Sequence, residues 1–465
     1  LDLIVGNTFN IKKLRADQDF IRTQVANEGY AFAKVKFDIK KNKEDSTVDV
    51  VFSVIPGKKV YINDVTISGN TRTLDRVVRR NVYLAPGDLF NLTDLRDSKS
   101  KLKRTKSFED VKIEQKRVSE DKVDLIVKVV ETSTGSLILG GGYGSYDKLM
   151  VNASVSDSNI FGSGIGVSLN ADLSATQSKF AFEVKNPAIN DSEYNGSFEI
   201  HNSETEIERD TYDQDKTAQG FSVAVGKQVI RNMYVGLKYR FDMIEEDYQY
   251  EDSSKVNNPN YYQDADYITS SLTPYLNFDN TDDFYVPREG YKVSSSLEFA
   301  GVGGDSEYLK SSTVFKYYHS FENMLEYDWI FRFKSNLKAI EDLGQLNPGD
   351  SLYLGGPRSL RGFESYAFGP NNDEGRKEEP YKRLWSNSIE MNFPLSKSAK
   401  MRWGVFYDYG MTGVEDFGDV QRSSTGAVLE WFSPVGPLQL IFAQPLDDEP
   451  GDETSSFEFS LGTSF

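Results

Sequence analysis

The sequence contains no cysteine and only two histidines, His201 and His319, among its 465 residues. Without cysteine there is no disulfide framework and no thiolate chemistry. Two isolated histidines supply neither a zinc cluster nor a histidine-based catalytic triad. We therefore predict that the chain is not an enzyme and that it uses no metal and no cofactor.

Long apolar runs and an excess of positive charge are missing as well. No run of about 18 apolar residues occurs, so the sequence predicts no transmembrane helix. The 53 basic and 71 acidic residues give a net charge of −18, and the pI is about 4.8. This balance argues against nucleic acid as a partner, because nucleic-acid binding needs a basic surface.

Aromatic residues and glycine are abundant instead. The chain has 30 Phe, 26 Tyr and 36 Gly, although its mean hydropathy is only −0.51. A polar average with many aromatic residues suits strands that turn one face to lipid and the other to water.

The first 132 residues read as two small α+β modules. A helix is predicted over residues 16–28, followed by two alternating strands that end at Pro56-Gly57. Residues 58–132 contain a strand, two helices with Thr73 and Asn91 as predicted N-caps, and two more strands. The VDVV motif at residues 48–51 recurs as VDLI at 123–126, which indicates serial copies of one module. The first copy lacks an opening strand and starts at Leu1, so we expect a fragment of a longer, processed chain.

From Gly135 onward the helical periodicity disappears, and alternating segments run to the end. In residues 329–339, for example, Phe331 and Phe333 share one face while Arg332 and Lys334 share the other. About sixteen such segments occur, an even number as in bacterial single-chain barrels. We predict a transmembrane antiparallel β-barrel of about 16 strands over residues 135–465, after a partial domain (1–57) and a complete one (58–132).

One long irregular segment, residues 340–382, interrupts the strands. It is far longer than the roughly 12–15 residues at which a structureless loop is expected to be functional. Its middle carries Arg361-Gly362-Phe363, with further glycines and prolines on both sides. We predict that this loop folds back inside the barrel and is held there by Arg361.

Two acidic residues are predicted on the inner wall next to that loop. Alternation places Glu390 inward in the strand over 386–393 and Asp408 inward in the strand over 401–409. Two carboxylates on one wall repel each other unless one cation pairs with both. Arginine suits this role because its planar guanidinium group can donate to two acceptors. Gly362 would let the backbone approach closely. The alternative is that both acids are solvated and Arg361 sits in water at a loop tip.

Several segments carry a family resemblance. The Leu-Arg-Gly-Phe core at 360–363, Asn186-Pro187, residues 159–164, 285–290 and 431–437, and the ending from Ala443 resemble the BamA family of outer-membrane protein assembly factors. The two N-terminal modules resemble POTRA domains. Two departures are Leu360, where Val is usual, and Phe465, where some members end in Trp.

The resemblance implies a function and a set of site residues. It implies the central subunit of the outer-membrane β-barrel assembly machinery, located in the bacterial outer membrane with its POTRA domains in the periplasm. The implied partners are unfolded outer-membrane protein clients, accessory lipoproteins and outer-membrane lipid. Arg361, Gly362 and Phe363 would be anchored in the lumen at Glu390 and Asp408. Alternatives are a TamA-like autotransporter assembly factor, a two-partner secretion pore and, in a different class, a passive porin.

The first and last strands are predicted to form a weak seam, because glycine leaves a strand interior without side chains to pack. The family resemblance implies that this seam is a lateral gate through which clients insert without ATP. The first strand is predicted over 136–145 and the last over 455–465. The implied gate and C-terminal signal residues are Gly140, Gly141, Gly142 and Gly144 in the first strand, and Phe457, Phe459, Gly462 and Phe465 in the last. The alternative is that the glycines only ease barrel curvature.

Overall fold

The computed structural model describes residues 1–144, 148–208, 212–283, 286–325, 327–370, 376–396, 398–433 and 436–461. The chain divides into two compact units, residues 1–135 with 157–166, and residues 136–156 with 167–465. Within the described ranges, no helix combines the length and the apolar character needed to cross a membrane.

The first unit begins with helix α1 (Ile11–Asn27), which packs beside a two-stranded antiparallel sheet of β1 (Lys34–Asn42) and β2 (Thr47–Ile55). The helix starts five residues earlier than predicted, at residue 11 rather than 16. The reason is Asn10, whose side chain accepts hydrogen bonds from two backbone N–H groups of the first turn and so caps the helix.

The second module of this unit has a three-stranded sheet in the order β3-β5-β4, with β5 parallel to β3 and antiparallel to β4. Its elements are β3 (Tyr61–Ser68), α2 (Asp75–Arg79), α3 (Leu92–Arg104), β4 (Phe108–Arg117) and β5 (Lys122–Glu131). The buried core residues include Val60, Ile62, Val65, Val78, Leu102, Val111, Val123, Leu125 and Val127. Alternate residues of β5 therefore face the two helices.

The two predicted N-caps of this module have different outcomes. Asn91 caps α3, since its side chain accepts from the Asp94 N–H at 3.0 Å. The prediction for Thr73 is wrong, because Leu74 occupies the N-cap position of α2 without a side-chain bond. The Thr73 hydroxyl instead accepts from Asn159 Nδ2 at 2.8 Å.

Glu131, the last residue of β5, holds the turn that precedes α2. Its carboxylate accepts from the backbone N–H groups of Thr73 at 2.6 Å, of Thr71 at 3.0 Å and of Arg72 at 3.0 Å. The side chain is only 7% exposed. Burial opposes ionisation, but the hydrogen bonds outweigh it and lower the pKa of Glu131 from 4.5 to about 2.

This pKa shift predicts an acid-sensitive turn. A carboxyl group whose folded pKa lies below its unfolded value stabilises the fold above the unfolded pKa. We therefore expect the contribution of Glu131 to be complete above pH 4.5 and to disappear as the pH falls toward about 2. Glu131→Gln should lower the protection factors of the amides around residues 71–75 at neutral pH. It should also flatten the pH dependence of those protection factors in that window. Glu109→Gln, an exposed acid of the same sheet, is the control, and an unchanged pH dependence in Glu131→Gln would contradict the assignment.

The second unit is built on one sixteen-stranded sheet in which the strands follow chain order, from β6 to β21. The strands are β6 (Gly135–Gly144), β7 (Lys148–Ile160), β8 (Ile165–Leu173), β9 (Gln177–Asn186), β10 (Tyr194–Glu208), β11 (Tyr212–Ile230), β12 (Met233–Tyr250), β13 (Ala265–Asp279), β14 (Gly290–Gly304), β15 (Glu307–Ser320), β16 (Ile330–Gln345), β17 (Arg383–Ser396), β18 (Met401–Gly413), β19 (Val420–Ser433), β20 (Gly436–Pro445) and β21 (Phe457–Leu461). A one-turn helix, α4 (Glu322–Leu325), follows β15. The predicted fold class is confirmed: a transmembrane antiparallel β-barrel of sixteen strands after small α+β modules.

The strands alternate between an apolar outer face and a polar inner face. In β18 the outward residues Trp403, Val405 and Tyr407 are exposed, whereas the inward residues Arg402, Phe406 and Asp408 are buried. This period of two is what a strand between lipid and a filled interior requires.

The irregular segment between β16 and β17 spans residues 346–382 and is shorter than the predicted 340–382. Strand β16 runs on to Gln345 because its antiparallel pairing with β15 continues, for example at Leu309 opposite Glu341. We call residues 346–382 the inward loop; its residues 371–375 lie outside the described residues.

Candidate functional site

Arg361, in the middle of the inward loop, is buried against the inner wall of the barrel. Its Nε and Nη2 atoms each donate to one oxygen of Asp408, both at 2.7 Å. Its Nη1 donates to Glu390 Oε2 at 3.2 Å, and Nη2 also donates to Ser388 Oγ at 2.7 Å. The structure thus brings together the three charged residues that sequence analysis placed in one site. The bidentate fork to Asp408 is the stronger of the two ion pairs.

Strand geometry explains why the two acids share one face. Ser388 lies directly opposite Asp408, and Glu390 lies directly opposite Phe406, across the β17–β18 pair. The acids are therefore two positions apart on the same wall. The Arg361 guanidinium carbon lies 3.5 Å from the centre of the Phe406 ring, so one face of the cation is covered by an aromatic ring.

Gly362 brings the loop backbone against the wall. Its φ of +91° lies in the region that favours glycine, and an added Cβ would lie 3.2 Å from Ser424 Cβ and 3.3 Å from Ala443 Cβ. A larger residue at this position would strain the backbone at its positive φ, and its side chain would crowd β19 and β20. This is the close approach that the sequence predicted for Gly362.

Phe363 belongs to an apolar core inside the barrel that sequence analysis did not find. The loop contributes five buried residues to it: Leu352, Leu354, Leu360, Phe363 and Phe368. The strands contribute four: Ala300, Tyr308, Ile340 and Leu384. The signal in the sequence was the set of leucines within an otherwise polar, glycine-rich loop. Leu360 is completely buried, which is the reason an aliphatic residue precedes the arginine.

The same part of the loop pairs with the chain just ahead of β21. The Ser455 N–H donates to the Gly362 carbonyl at 3.0 Å, and the Glu364 N–H donates to the Glu453 carbonyl at 2.9 Å. Phe363 and Thr454 form an antiparallel bridge between these two bonds. The inward loop is therefore hydrogen-bonded to the segment that enters the last strand, a contact that no sequence pattern indicated.

A second buried arginine lies next to the first site. Arg332 Nη1 on β16 donates to Glu390 Oε1 at 3.1 Å and to both oxygens of Glu430 at 2.9 Å. These three residues are 1–2% exposed. Alternation had placed Arg332 on the polar face of its strand, but its partner Glu430 lies 98 positions away in the chain.

The predicted gate residues lie at the two ends of the strand order. Gly140, Gly141, Gly142 and Gly144 are all in β6, and Phe457 and Phe459 are in β21. Within the described part of the chain, β6 and β21 are not paired with each other. Gly462, Phe465 and residue 145 of the predicted first strand lie outside the described residues.

The chemistry of this site is that of a clamp. Each buried carboxylate named above is matched by arginine, serine or amide donors, and these groups supply no paired nucleophile and base. In the described ranges, no group of three or more histidine, aspartate or glutamate side chains is placed to hold a metal ion. The arrangement holds a loop in place.

Comparison with known proteins follows the same division of the chain. The model described as surface antigen variable number repeat, the POTRA family, matches residues 1–57 and 60–132. The Omp85 superfamily domain matches residues 159–465. These matches confirm the resemblance of the two N-terminal modules to POTRA domains.

Two curated relatives are similar over nearly the whole chain. The outer membrane protein assembly factor BamA of Nitratidesulfovibrio vulgaris is 29% identical over 469 residues, which cover 98% of this chain and 58% of that protein. BamA of Neisseria meningitidis is 26% identical over 527 residues, covering 99% of this chain and 63% of that protein. The chain thus spans about three fifths of the length of the curated relatives it matches.

A solved structure, BamA from Haemophilus ducreyi lacking POTRA domains 1–3, has the same fold. It superposes with a TM-score of 0.67 at 24% identity and covers 98% of this chain and 94% of that one. With the superfamily domain matched over residues 159–465, the chain belongs to the Omp85 superfamily.

Proposed function

We propose that this protein is the central subunit of a machine that folds β-barrel proteins and inserts them into the bacterial outer membrane. The observation that carries the proposal is its similarity, along 98–99% of its length, to two proteins named as outer-membrane protein assembly factors. The chain resides in the outer membrane, with its POTRA modules in the periplasm. Its partners are unfolded outer-membrane protein clients, accessory lipoproteins and the surrounding lipid.

Clients enter the membrane through a lateral gate between β6 and β21. A closed barrel has no free strand edge. A barrel that templates other strands therefore needs a seam that can open and expose an edge. Among the described residues, β6 and β21 stand at the two ends of the strand order and are not paired with each other. The glycines of β6 weaken packing at its edge. The freed edge accepts an extended client strand by β-augmentation.

The inward loop braces the gate from inside. Its Arg361 is clamped to β17 and β18, and its Gly362 carbonyl is bonded to Ser455, two residues before β21. Movement of the loop is therefore transmitted to the last strand through the backbone. This contact supports a role for the loop in gate opening.

Insertion proceeds without ATP and without any covalent reaction. The glycine-rich segment of the barrel at 140–144 lies in a strand and lacks the strand-to-helix setting of a phosphate-binding loop. The driving force is the free energy that the client gains when its backbone groups pair and its apolar face meets lipid.

The other candidates have less support. The relatives at 26–29% identity are named assembly factors, which favours this function over an autotransporter assembly factor or a secretion pore. A passive porin is disfavoured because five buried side chains of the inward loop occupy the barrel interior.

Reconstitution tests the proposal. The full-length protein in liposomes should accelerate the folding of a urea-denatured barrel client in the absence of nucleotide, and added ATP should not change the rate. Liposomes carrying an unrelated sixteen-stranded porin are the control. Equal folding rates in both, or a large steady conductance of this protein in planar bilayers, would refute an insertase and favour a pore.

A further inference from the structure

Arg332 contacts an acid that also holds the inward loop. The two oxygens of Glu390 are divided between two arginines: Oε1 accepts from Arg332 at 3.1 Å and Oε2 accepts from Arg361 at 3.2 Å. A carboxylate fixed through one oxygen cannot rotate freely about its last torsion. The contact of Glu390 with Arg332 therefore determines where its other oxygen points.

Glu430 makes this contact necessary. Asn392 Nδ2 donates to Glu430 at 3.0 Å and lies 3.4 Å from Glu390 Oε1, so both acids converge on the same amide. Glu430 is otherwise held by Arg332 and by Gln439 at 2.9 Å. Without Arg332, Glu430 would keep only the neutral donors Asn392 and Gln439 beside the buried Glu390, and like charges at this depth repel strongly.

The neighbouring strand also leaves Glu390 little freedom. A Cβ added to Gly404 on β18 would lie 3.1 Å from Glu390 Oε1 and 3.2 Å from its Cδ. Glu390 therefore lies flat against β18, and the absence of a side chain at Gly404 makes that position available. Arg332 on one side and Gly404 on the other confine this carboxylate to a single position.

We propose that Arg332 is a positioning residue for the inward loop: it fixes Glu390 in the orientation in which that acid accepts from Arg361. The loop is thus seated by a chain of charges, Asp408 to Arg361 to Glu390 to Arg332 to Glu430, and not by one arginine alone. This inference concerns the seating of the loop and does not depend on the proposed insertion function.

A double-mutant cycle tests it. In the full-length protein, Arg332→Met should raise the rate of protease cleavage within residues 346–370 about tenfold, the size expected for coupled neighbours. In an Arg361→Ala background, where Glu390 no longer holds the loop, the same substitution should change the rate less than about threefold. Arg332→Lys, which keeps the charge, should restore much of the protection.

The control is Lys292→Met. Lys292 on β14 is also an inner-wall cation, but its ion-pair partner is Asp279 at 3.1 Å, which is not one of the acids that hold Arg332 or Arg361. Gly404→Ala serves as a second variant that keeps every charge and should also expose the loop. Heat-modifiable migration on gels reports barrel folding in each case. Wild-type cleavage in a folded Arg332→Met, or an equal increase with and without Arg361, would overturn the proposal.

Discussion

A reversible disulfide between β6 and β21 should abolish client insertion while the barrel stays folded. The proposed gate requires these two edges to separate, and a covalent link keeps them together whatever the client contributes. Because the natural chain contains no cysteine, an engineered pair between residues 136–141 and 457–461 is the only one that can form. Insertion into liposomes, measured before and after reduction, should fall to the level of empty liposomes and then recover.

The matched control is a disulfide inside the sheet. Leu429 and Leu440 lie directly opposite each other on β19 and β20, so a cysteine pair there adds a link of the same kind without involving β6 or β21. That variant should keep most of its activity. A protein locked from β6 to β21 that inserts clients at the unlocked rate would show that the seam is not the route.

Arg361→Ala should release the inward loop. The substitution leaves Asp408 and Glu390 buried with no arginine from the loop, and breaking such a pair costs about 3–5 kcal/mol, or less if water enters. The Phe406 ring also loses the guanidinium that covers it. We expect rapid protease cleavage within residues 346–370 and a loss of client insertion, because the loop no longer braces the segment before β21.

Arg358→Ala is the comparison for this variant. Arg358 lies three positions earlier in the same loop, but its side chain is exposed, so its removal should leave the loop protected. Arg361→Lys should be intermediate, since an ammonium group cannot reproduce the two parallel bonds to Asp408. Unchanged protease resistance in Arg361→Ala would mean that the apolar core around Phe363 seats the loop by itself.

Alternation along single strands was enough to predict much of the barrel. The period of two assigned Glu390 and Asp408 to one face before any partner was known, because neighbouring strands joined by a short turn keep their faces aligned. Spacing alone left two roles open for Arg361, and the family resemblance selected the anchored one. Predictions near chain turns were weaker: Thr73 was assigned a cap that Leu74 occupies, since the hydroxyl finds a partner elsewhere in the unit.

By itself, the sequence determined the modular N-terminal region, the approximate number of strands, the alternation of faces along them and the existence of a long irregular loop. These properties follow from local periodicity, turn residues and composition. Only the tertiary structure decided that Glu390 serves Arg332 as well as Arg361, that five loop side chains form a core with the wall, and that Gly362 is bonded to Ser455. The physical reason is that these contacts join residues tens of positions apart. A local sequence pattern does not specify which distant group is the partner in each contact.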